Sequence, residues 1–599
     1  MMRTALFAAA VVVLAAQTTP TRAADPDISG NWLLSYVPRA SSASNFALLK
    51  VEMKDGKPVV SVLAPQGKGF NLEVTGFEIG NGKSLKFKTS VGASFEGTIG
   101  ADGKVLGNFG DDRQMFRAML TKTDKTEIAE QSSRIDAPAG PAADLQKLQA
   151  EPAKLRAAAA KEDDADKKKE LLDKAAEATK LVTEKMPDLL RATIAKQGDT
   201  PFAIDAVGDL IAGAVKYKVT AEEAATFIPT IEKAAAPFGA RYSRAAIIQT
   251  VETMATAKSL DAAVAVTAAE KLSKSLTPET PATYESRVLT AYKTALERSE
   301  IKDKDATLKT VTASLAKLEE KIDAEYRKTV PPFKPTAFAG RKDKAANQVV
   351  VMELFTGAQC PPCVSADVAF DALLKSYKPG ELVLIQYHLH IPGPDPLTNT
   401  EAIARAKFYG VNSTPTAMLN GGKSPALGGG MANAEARFKT LINVIDPMLE
   451  KSADVKLAGK ASRTGDKIDI GVEVTGGDGD DMKLRLLVVE EDVKYVGGNG
   501  LRFHHQVVRA MPGGADGVAV KDKTFKHTAS VDLVEVRKDL TKYLDEFAAN
   551  RPFPKPERPM EMKALRVIAL VQNDKTKEIV QAIQLDVEAK PATGTGGGR

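Results

Sequence analysis

The sequence is poor in cysteine, histidine and tryptophan. Its 599 residues include two cysteines, five histidines and one tryptophan. Two cysteines supply only half of a tetrahedral zinc shell and no H-x-x-x-H spacing completes it, so we expect no zinc site at the cysteines. The 82 basic and 77 acidic residues nearly balance, and no basic tract carries interleaved aromatic residues. Nucleic-acid binding therefore has no support.

Long apolar runs are equally scarce. The run at residues 5–16 is too short to span a bilayer, and no other run approaches the necessary length, so we expect no membrane span. The run follows Arg3 and precedes Thr21-Arg22-Ala23, which offers small residues at the positions that a signal peptidase reads. We expect residues 1–23 to be a cleaved signal peptide without lipid attachment, because no cysteine follows the run. The mature protein is then soluble and periplasmic or secreted, where disulfides persist.

Both cysteines lie in one motif. Residues 349–363 read Val-Val-Val-Met-Glu-Leu-Phe-Thr-Gly-Ala-Gln-Cys-Pro-Pro-Cys. The apolar, β-branched run predicts a strand covered on both faces of a parallel sheet. Apolar residues at helical spacing then predict a helix over residues 363–377. We expect Cys360 at the helix start, with Pro361 and Pro362 in the first turn, where a missing N–H costs little.

This placement favours redox chemistry. A spacing of three puts both sulfurs on one face of a helical turn, close enough to bridge. The positive end of the helix dipole favours the thiolate of Cys360, which predicts Cys360 as the nucleophile and Cys363 as the resolving cysteine. The alternative is a structural disulfide. A bridge this tight contributes only about 2 kcal/mol, against about 5 kcal/mol for a hundred-residue loop.

A second motif follows at residues 409–420, Tyr-Gly-Val-Asn-Ser-Thr-Pro-Thr-Ala-Met-Leu-Asn. A strand, a C-x-x-C at a helix start and this later Thr-Pro resemble the thioredoxin superfamily, over about residues 333–447. A predicted strand at 382–387 and helix at 400–409 complete the βαβ order. The resemblance implies that Thr414 and a cis-Pro415 face the dithiol and present backbone to a substrate chain. It implies a redox-active disulfide that needs no organic cofactor and no metal.

Other polar residues are candidates for tuning the dithiol. Glu353 is a candidate for the buried acid that thioredoxins carry, because a carboxylate in an apolar strand titrates high and can shuttle a proton; the alternative is a partly solvated edge position. His388 and His390 lie in an insertion after the second strand and could shift the thiolate fraction of Cys360, unless they are surface residues. His504-His505 is a weaker candidate, for a metal pair without nearby acidic or sulfur ligands.

The rest of the chain divides into further domains, and the fold class is multidomain α+β. Residues 24–123 show about eight short alternating stretches with Asp-Gly and Asn-Gly turns, which predicts a small antiparallel β-barrel. Its opening, Ser29-Gly30-Asn31-Trp32, resembles lipocalin-type barrels. Whether the barrel encloses a ligand cavity or is filled by its own side chains stays open.

Composition changes after this barrel. Residues 124–142 are predicted to be a linker and residues 143–330 an α-helical bundle that serves as a scaffold, docks a partner or holds the dithiol domain at a distance. By the resemblance, residues 331–447 are expected to form the thioredoxin-like domain. The strand pattern of residues 448–588 predicts a β-sandwich interrupted by a helix at 533–549. We expect residues 589–599 to be a disordered tail.

The sequence thus predicts an extracytoplasmic thiol-disulfide oxidoreductase that exchanges disulfides with protein thiols and disulfides of the cell envelope. Pro361 and Pro362 remove two N–H groups that would stabilise the Cys360 thiolate, so a reducing or intermediate potential is expected. The alternative is a non-enzymatic envelope binding or assembly protein in which the C-x-x-C disulfide is structural.

Overall fold

A computed structural model describes residues 28–590 apart from 56, 66–71, 81–82, 91, 101, 112–114, 129, 478 and 480. The chain forms two compact units. The first holds residues up to 264 except 90–92, and the second holds residues from 265 onward together with 90–92. The predicted signal peptide at 1–23 and the tail from 591 lie outside the described residues. Two residues of the predicted disordered tail are ordered. Ala589 is the last residue of a strand, and the Lys590 amide donates a hydrogen bond to the Arg463 carbonyl.

The first unit begins with an antiparallel sheet. Its strands are β1 (Gly30–Arg39), β2 (Ser42–Lys54), β3 (Lys57–Pro65), β4 (Val74–Gly80), β5 (Ser84–Thr89), β6 (Ser94–Ile99), β7 (Val105–Gly110), β8 (Met115–Thr123) and β9 (Ser132–Arg134). The order β3-β2-β1-β8-β7-β6-β5-β4 makes a nearly closed barrel. Inside it, Phe87 stacks on Phe95 with 5.1 Å between ring centroids. The predicted barrel is confirmed as a nearly closed antiparallel sheet. The segment predicted as a linker includes β9, which pairs with β2.

Helices follow in the same unit. They are α1 (Pro141–Ala160), α2 (Ala165–Gln197), α3 (Pro201–Ala212), α4 (Ala221–Ala225), α5 (Phe227–Ala235) and α6 (Ala240–Thr256), while α7 (Ala262–Lys274) crosses the boundary between the units. Arg117 on β8 is buried and bonds Asp205 of α3 at 3.0 Å and the Pro201 carbonyl at 3.0 Å. This buried cation fixes the barrel to the helices.

After the part of α7 from residue 265 onward, the second unit contains α8 (Ala282–Arg298) and α9 (Lys304–Thr329). The segment predicted as one bundle is therefore divided between the two units. The other helices of the second unit are α10 (Val364–Ser376), α11 (Thr400–Tyr409), α12 (Ala434–Leu449) and α13 (Leu533–Asn550). Its strands are β10 (Val350–Thr356), β11 (Leu382–His388), β12 (Thr416–Leu419), β13 (Gly422–Lys423), β14 (Lys456–Thr464), β15 (Lys467–Thr475), β16 (Met482–Lys494), β17 (Phe503–Ala510), β18 (Val518–Ala519), β19 (Thr524–Asp532), β20 (Leu565–Asn573) and β21 (Ile579–Ala589).

These strands form one mixed sheet in the order β13-β12-β10-β11-β17-β16-β20-β21-β14-β15-β19, with β18 beside β16. The prediction of a separate β-sandwich at 448–588 therefore needs correction. β17 joins the two halves, because it pairs in parallel with β11 at Gln386↔Val507 and antiparallel with β16.

The two faces of β10 are covered by different helices. Val350, Met352 and Leu354 pack with α10 and α12. Val351 and Phe355 pack with α11 and with one face of β16 and β20. Because side chains alternate along a strand, residues 353 and 356 of β10 lie on opposite faces. The other face of β16 and β20 packs on β15 and α13, which gives the C-terminal half its own core.

Candidate functional site

The two cysteines lie between the end of β10 and the start of α10. The chain leaves β10 at Thr356, turns through residues 357–359 and forms a 3₁₀ turn at Pro361–Cys363 before α10 begins at Val364. Cys360 and Cys363 are joined by a disulfide, and the two residues are 1% and 0% exposed. Cys360 caps the 3₁₀ turn, whereas Cys363 caps the α-helix itself. The α-helix thus begins one residue after the predicted position 363, and the 3₁₀ turn at Pro361–Cys363 takes the place of the first helical turn that was expected to follow Cys360.

Thr414 and Pro415 lie beside this disulfide. The peptide bond between them is cis. β12 runs antiparallel to β10 with Phe355 opposite Thr416, so the register brings the segment before β12 to the end of β10. The Thr414 hydroxyl lies 3.3 Å from the Cys360 Sγ and 3.1 Å from the Ile391 carbonyl oxygen, and the Thr414 carbonyl oxygen lies 3.7 Å from the same Sγ. The structure thus brings together four predicted site residues, Cys360, Cys363, Thr414 and Pro415.

Glu353 lies elsewhere. Its side chain is 0% exposed, so the alternative of a partly solvated edge position is wrong. It belongs to the α11 face of β10, where Arg405 donates to both carboxylate oxygens at 2.7 and 3.0 Å. The hydroxyls of Tyr387 and Tyr409 donate to the same group at 3.0 and 2.6 Å. The structure does not bring Glu353 to the α10 face, where the disulfide begins the helix.

The phenols and the guanidinium around Glu353 have strongly shifted pKa values. Burial, followed by the charge of Glu353, raises the pKa of Tyr387 and that of Tyr409 well above the ordinary tyrosine value. Burial alone lowers the pKa of Arg405, but Glu353 and the two tyrosines outweigh burial and raise it. The cluster therefore holds its phenols protonated and its guanidinium charged, which makes it a structural ion pair.

His388 ends β11 directly behind the dithiol turn. Its Nδ1 lies 2.8 Å from Asp395 Oδ2 and its Nε2 lies 3.2 Å from Gln386 Oε1. Asp395 also accepts hydrogen bonds from the Ala358 amide at 2.6 Å and the Leu397 amide at 2.9 Å. Burial raises the pKa of Asp395, but His388 and these amides outweigh burial and hold it below its ordinary value. The His388–Asp395 pair thus supports the turn two residues before Cys360.

His390 bonds the backbone of Asp395 and not the side chains of this pair. Its ring stacks on Phe547 at 3.6 Å between centroids, and its Nε2 lies 3.0 Å from the Tyr543 hydroxyl, both on α13. Its Nδ1 accepts a hydrogen bond from the Asp395 amide. Burial lowers the pKa of His390 to about 4, so the ring is neutral. His390 therefore anchors the loop after β11 to α13.

Asp367 is a buried acid that sequence reasoning missed. It lies on α10 four residues after Cys363 and is 3% exposed. The Thr356 hydroxyl donates to one carboxylate oxygen at 2.8 Å, and Gln386 Nε2 lies 2.7 Å from the other. Burial raises the pKa of Asp367 well above the ordinary value, and the nearby charges of Asp371 and Asp395 add to this shift. The signal was in the sequence, since residues four apart on a helix share a face.

The C-terminal half also contributes to the site. The loop between β16 and β17 packs on the dithiol turn: the Asn499 amide donates to the Ala358 carbonyl at 3.0 Å, and the Gly498 amide donates to Gln359 at 2.9 Å. At Gly497 a Cβ would lie 2.1 Å from the Ala358 carbonyl oxygen, so this close approach requires glycine. Residues more than a hundred positions downstream thus support the turn before Cys360.

His504 and His505 do not form a pair. His504 Nε2 lies 3.0 Å from the Tyr495 carbonyl oxygen, and its ring contacts His388 with 4.8 Å between centroids. Successive strand residues point to opposite faces, and His505 instead bonds Asp371 at 2.6 Å. Within the part of the chain that the structure describes, no group of three or more histidine, cysteine and acidic residues is arranged to hold a metal ion.

No family model, no curated protein and no solved structure matches this chain. Of the helices in the described ranges, none is long and apolar enough to cross a membrane.

Proposed function

We propose that this protein is a thiol-disulfide oxidoreductase of the thioredoxin superfamily that acts on protein disulfides outside the cytoplasm. The observation that supports this most directly is the Cys360–Cys363 disulfide at the junction of β10 and α10, with Thr414-Pro415 beside it. The sulfur of Cys360 lies next to the Thr414-Pro415 segment, and this segment leads directly into strand β12. Such a backbone can align an extended substrate chain.

The chemistry requires only the two sulfurs. The reduced Cys360 thiolate attacks a substrate disulfide, forms a mixed disulfide and releases one substrate thiolate. Cys363 then attacks Cys360, re-forms the Cys360–Cys363 bond and releases the second substrate thiolate. Two electrons pass from the protein dithiol to the substrate, so the substrate is reduced and the protein is oxidised. No organic cofactor or metal enters these steps.

The direction favoured by the turn is reduction of the substrate. Pro361 and Pro362 occupy the 3₁₀ turn that Cys360 caps. They offer no N–H to the Cys360 sulfur, so the thiolate of the reduced form loses two donors that would stabilise it. A less stabilised thiolate gives a reducing or intermediate potential.

Insulin reduction with matched cysteine variants tests the proposal. We expect the unmodified protein to accelerate insulin precipitation in dithiothreitol and Cys360→Ser to abolish the acceleration. Cys363→Ser serves as the matched control, because it keeps the nucleophile and removes only resolution. It should accumulate covalent adducts with insulin chains, which non-reducing gels detect. Equal activity of Cys360→Ser and the unmodified protein would refute the proposal.

A second candidate follows from burial. Because the two cysteines are 1% and 0% exposed, the disulfide could serve as a minor bridge in a binding or assembly protein of the envelope. In that case Cys363→Ser traps no partner, and Cys360→Ser leaves every exchange assay unchanged. The same pair of variants therefore distinguishes the two functions.

A further inference from the structure

The disulfide on which the proposed function depends is buried. Cys360 and Cys363 are 1% and 0% exposed. Thiol-disulfide exchange requires contact between two sulfur atoms, so a substrate must reach the sulfur of Cys360 before the reaction begins. The segments that surround the dithiol turn therefore decide when exchange can occur.

Two loops lie against the dithiol turn. The loop after β11 approaches Gln359 closely, since a Cβ on Gly393 would be 3.3 Å from the Gln359 Cβ. The loop between β16 and β17 bonds the same side chain, because the Gly498 amide donates to Gln359 and Gln359 Nε2 lies 3.5 Å from the Tyr495 hydroxyl. Both loops thus touch the residue directly before Cys360.

A third segment joins these two loops. Residues 551–559, which we call the strap, follow α13 and read Arg-Pro-Phe-Pro-Lys-Pro-Glu-Arg-Pro. The Arg551 guanidinium donates to the Pro392 carbonyl of the loop after β11 at 3.0 Å. The Lys555 ammonium donates to the Val496 carbonyl of the loop between β16 and β17 at 2.9 Å. The strap thus bridges the two loops with two cations four residues apart.

An aromatic anchor lies between these two cations in the sequence. The Phe553 ring is 6.1 Å from the His390 ring and 5.6 Å from the Phe547 ring of α13, measured between centroids. The Arg558 guanidinium lies 5.3 Å from the centre of the Phe553 ring and bonds Asp545. Phe553 therefore attaches the strap to α13 and to the loop after β11.

The strap lacks the backbone hydrogen bonds of a helix or a strand. Four of its nine residues are prolines, which have no amide donor and favour an extended backbone. In the part of the chain that the structure describes, residues 552–559 make no hydrogen bond from backbone to backbone. The whole connection from α13 to β20, residues 551–564, holds neither helix nor strand. Connections of this length are typical of functional lids, and a segment with few backbone bonds opens at low cost in free energy.

We propose that the strap is autoinhibitory: it holds the two loops closed over the dithiol turn and must detach before a substrate disulfide reaches Cys360. This inference rests on the proposed oxidoreductase function and adds its regulation. While the strap is attached, both loops keep their contacts with Gln359 and the sulfurs stay buried. The observed rate of exchange is then the rate of the open form multiplied by the fraction of molecules that are open.

Stopped-flow reaction of the reduced full-length protein with the chromogenic disulfide DTNB measures changes in this open fraction. Attack by Cys360 releases the first coloured thiolate. We expect Phe553→Ala to raise the rate of this release about tenfold, because the aromatic anchor is lost. Lys555→Met should raise it about threefold to tenfold, because one bond to the loop between β16 and β17 is lost. Lys563→Met is the matched control, since Lys563 lies in the same connection and bonds Glu561, and its rate should stay within about twofold of the unmodified protein.

Two readouts separate strap release from a change in the sulfur itself. Lys555→Met removes a positive charge, which would disfavour a nearby thiolate and slow the reaction, so its acceleration reports access. Phe553→Ala changes no charge, and its acceleration should be the same factor at every pH between about 6 and 8. A factor that changes by more than about threefold across this range would overturn the inference.

Hydrogen exchange of the disulfide form gives a second measurement that needs no thiol chemistry. The amides of Gly498 and Asn499 donate to Gln359 and Ala358 from the loop that Lys555 holds. We expect Lys555→Met to speed the exchange of these two amides by at least about threefold and to leave the amides of β10 unchanged. Equally faster exchange in β10 would show a general loosening of the unit and overturn the strap.

The failure of the function and the failure of the strap give different results. No thiolate release from the unmodified protein or from any variant would overturn the proposed function and this inference with it. Release from the unmodified protein, with Phe553→Ala and Lys555→Met within about twofold of it, would leave the function standing and overturn the strap alone.

Discussion

Two buried carboxyl groups flank β10 on opposite faces, and their surroundings differ. Glu353 is paired with Arg405 at 2.7 Å and receives two tyrosine hydroxyls. Asp367 has no such cation and bonds the neutral groups of Thr356 and Gln386. Burial is similar, at 0% and 3% exposure. Burial alone therefore does not decide how a carboxyl group is held: Glu353 is bonded by a guanidinium and two phenols, and Asp367 by a hydroxyl and an amide.

Removing the cation that pairs with Glu353 should have the largest effect on the free energy of unfolding. Arg405→Met leaves Glu353 buried without its cation, and we expect the free energy of unfolding to fall by about 3–5 kcal/mol, since an uncompensated buried charge remains. Urea unfolding of the full-length protein, followed by circular dichroism, measures this loss. Tyr409→Phe, which removes one hydroxyl and keeps the ion pair, is the control and should cost about 1–2 kcal/mol. A loss below that of the control would show that Glu353 needs no cation.

Replacing Asp367, the buried acid without a bonded cation, should change the free energy of unfolding less and in the opposite direction. The folded protein holds Asp367 protonated above the ordinary aspartate value of 3.8, where the unfolded chain is ionised, so stability falls as pH rises from that value through the raised pKa. Asp367→Asn removes this loss. We expect its stability relative to the unmodified protein to rise from about pH 4 upward and then level off. Urea midpoints at a series of pH values that show a constant or falling difference would contradict this.

The smallest effect concerns His505, which connects the same helix to β17. Burial alone lowers its pKa, but Asp371, and then Asp492, outweigh burial and raise it. The ion pair therefore stabilises the fold fully below the unfolded value of 6.5 and is lost as pH rises through the higher folded pKa. We expect His505→Gln to cost up to about 1 kcal/mol at low pH.

The cost of His505→Gln should shrink as pH rises, the reverse of the trend for Asp367→Asn. A pH-independent cost would show that His505 contributes only packing. Measuring both variants in the same pH series compares a histidine of β17 that bonds α10 with a buried acid of α10 itself.

Local sequence patterns were enough to predict much of the fold around the two cysteines. The apolar run of β10 and the residues of α10, β11 and α11 lie where periodicity predicts them. β17 could not be predicted in this way. Its residues His504, Gln506 and Arg509 are polar yet buried, and no alternating pattern marks the strand. Local sequence patterns therefore could not predict that one sheet connects the dithiol half and the C-terminal half of this unit.

The site shows the same division. The resemblance carried by C-x-x-C and the later Thr-Pro implied that Thr414 lies at Cys360, and the Thr414 hydroxyl is 3.3 Å from the Cys360 Sγ. The roles of the acids were not predictable, because the face on which Glu353 lies depends on α11 and Arg405. The support from Asn499 depends on a loop more than a hundred residues downstream. Pairings across long sequence separations leave no local trace.

The most direct test of the account is the equilibrium of the Cys360–Cys363 pair with glutathione redox buffers, read by alkylation and mass shift in the folded full-length protein. The account predicts reversible exchange between dithiol and disulfide, with a potential clearly more negative than the roughly −120 mV of the strongest bacterial oxidants. A pair that stays oxidised in every buffer until the protein unfolds would identify the disulfide as a structural bridge and contradict the account.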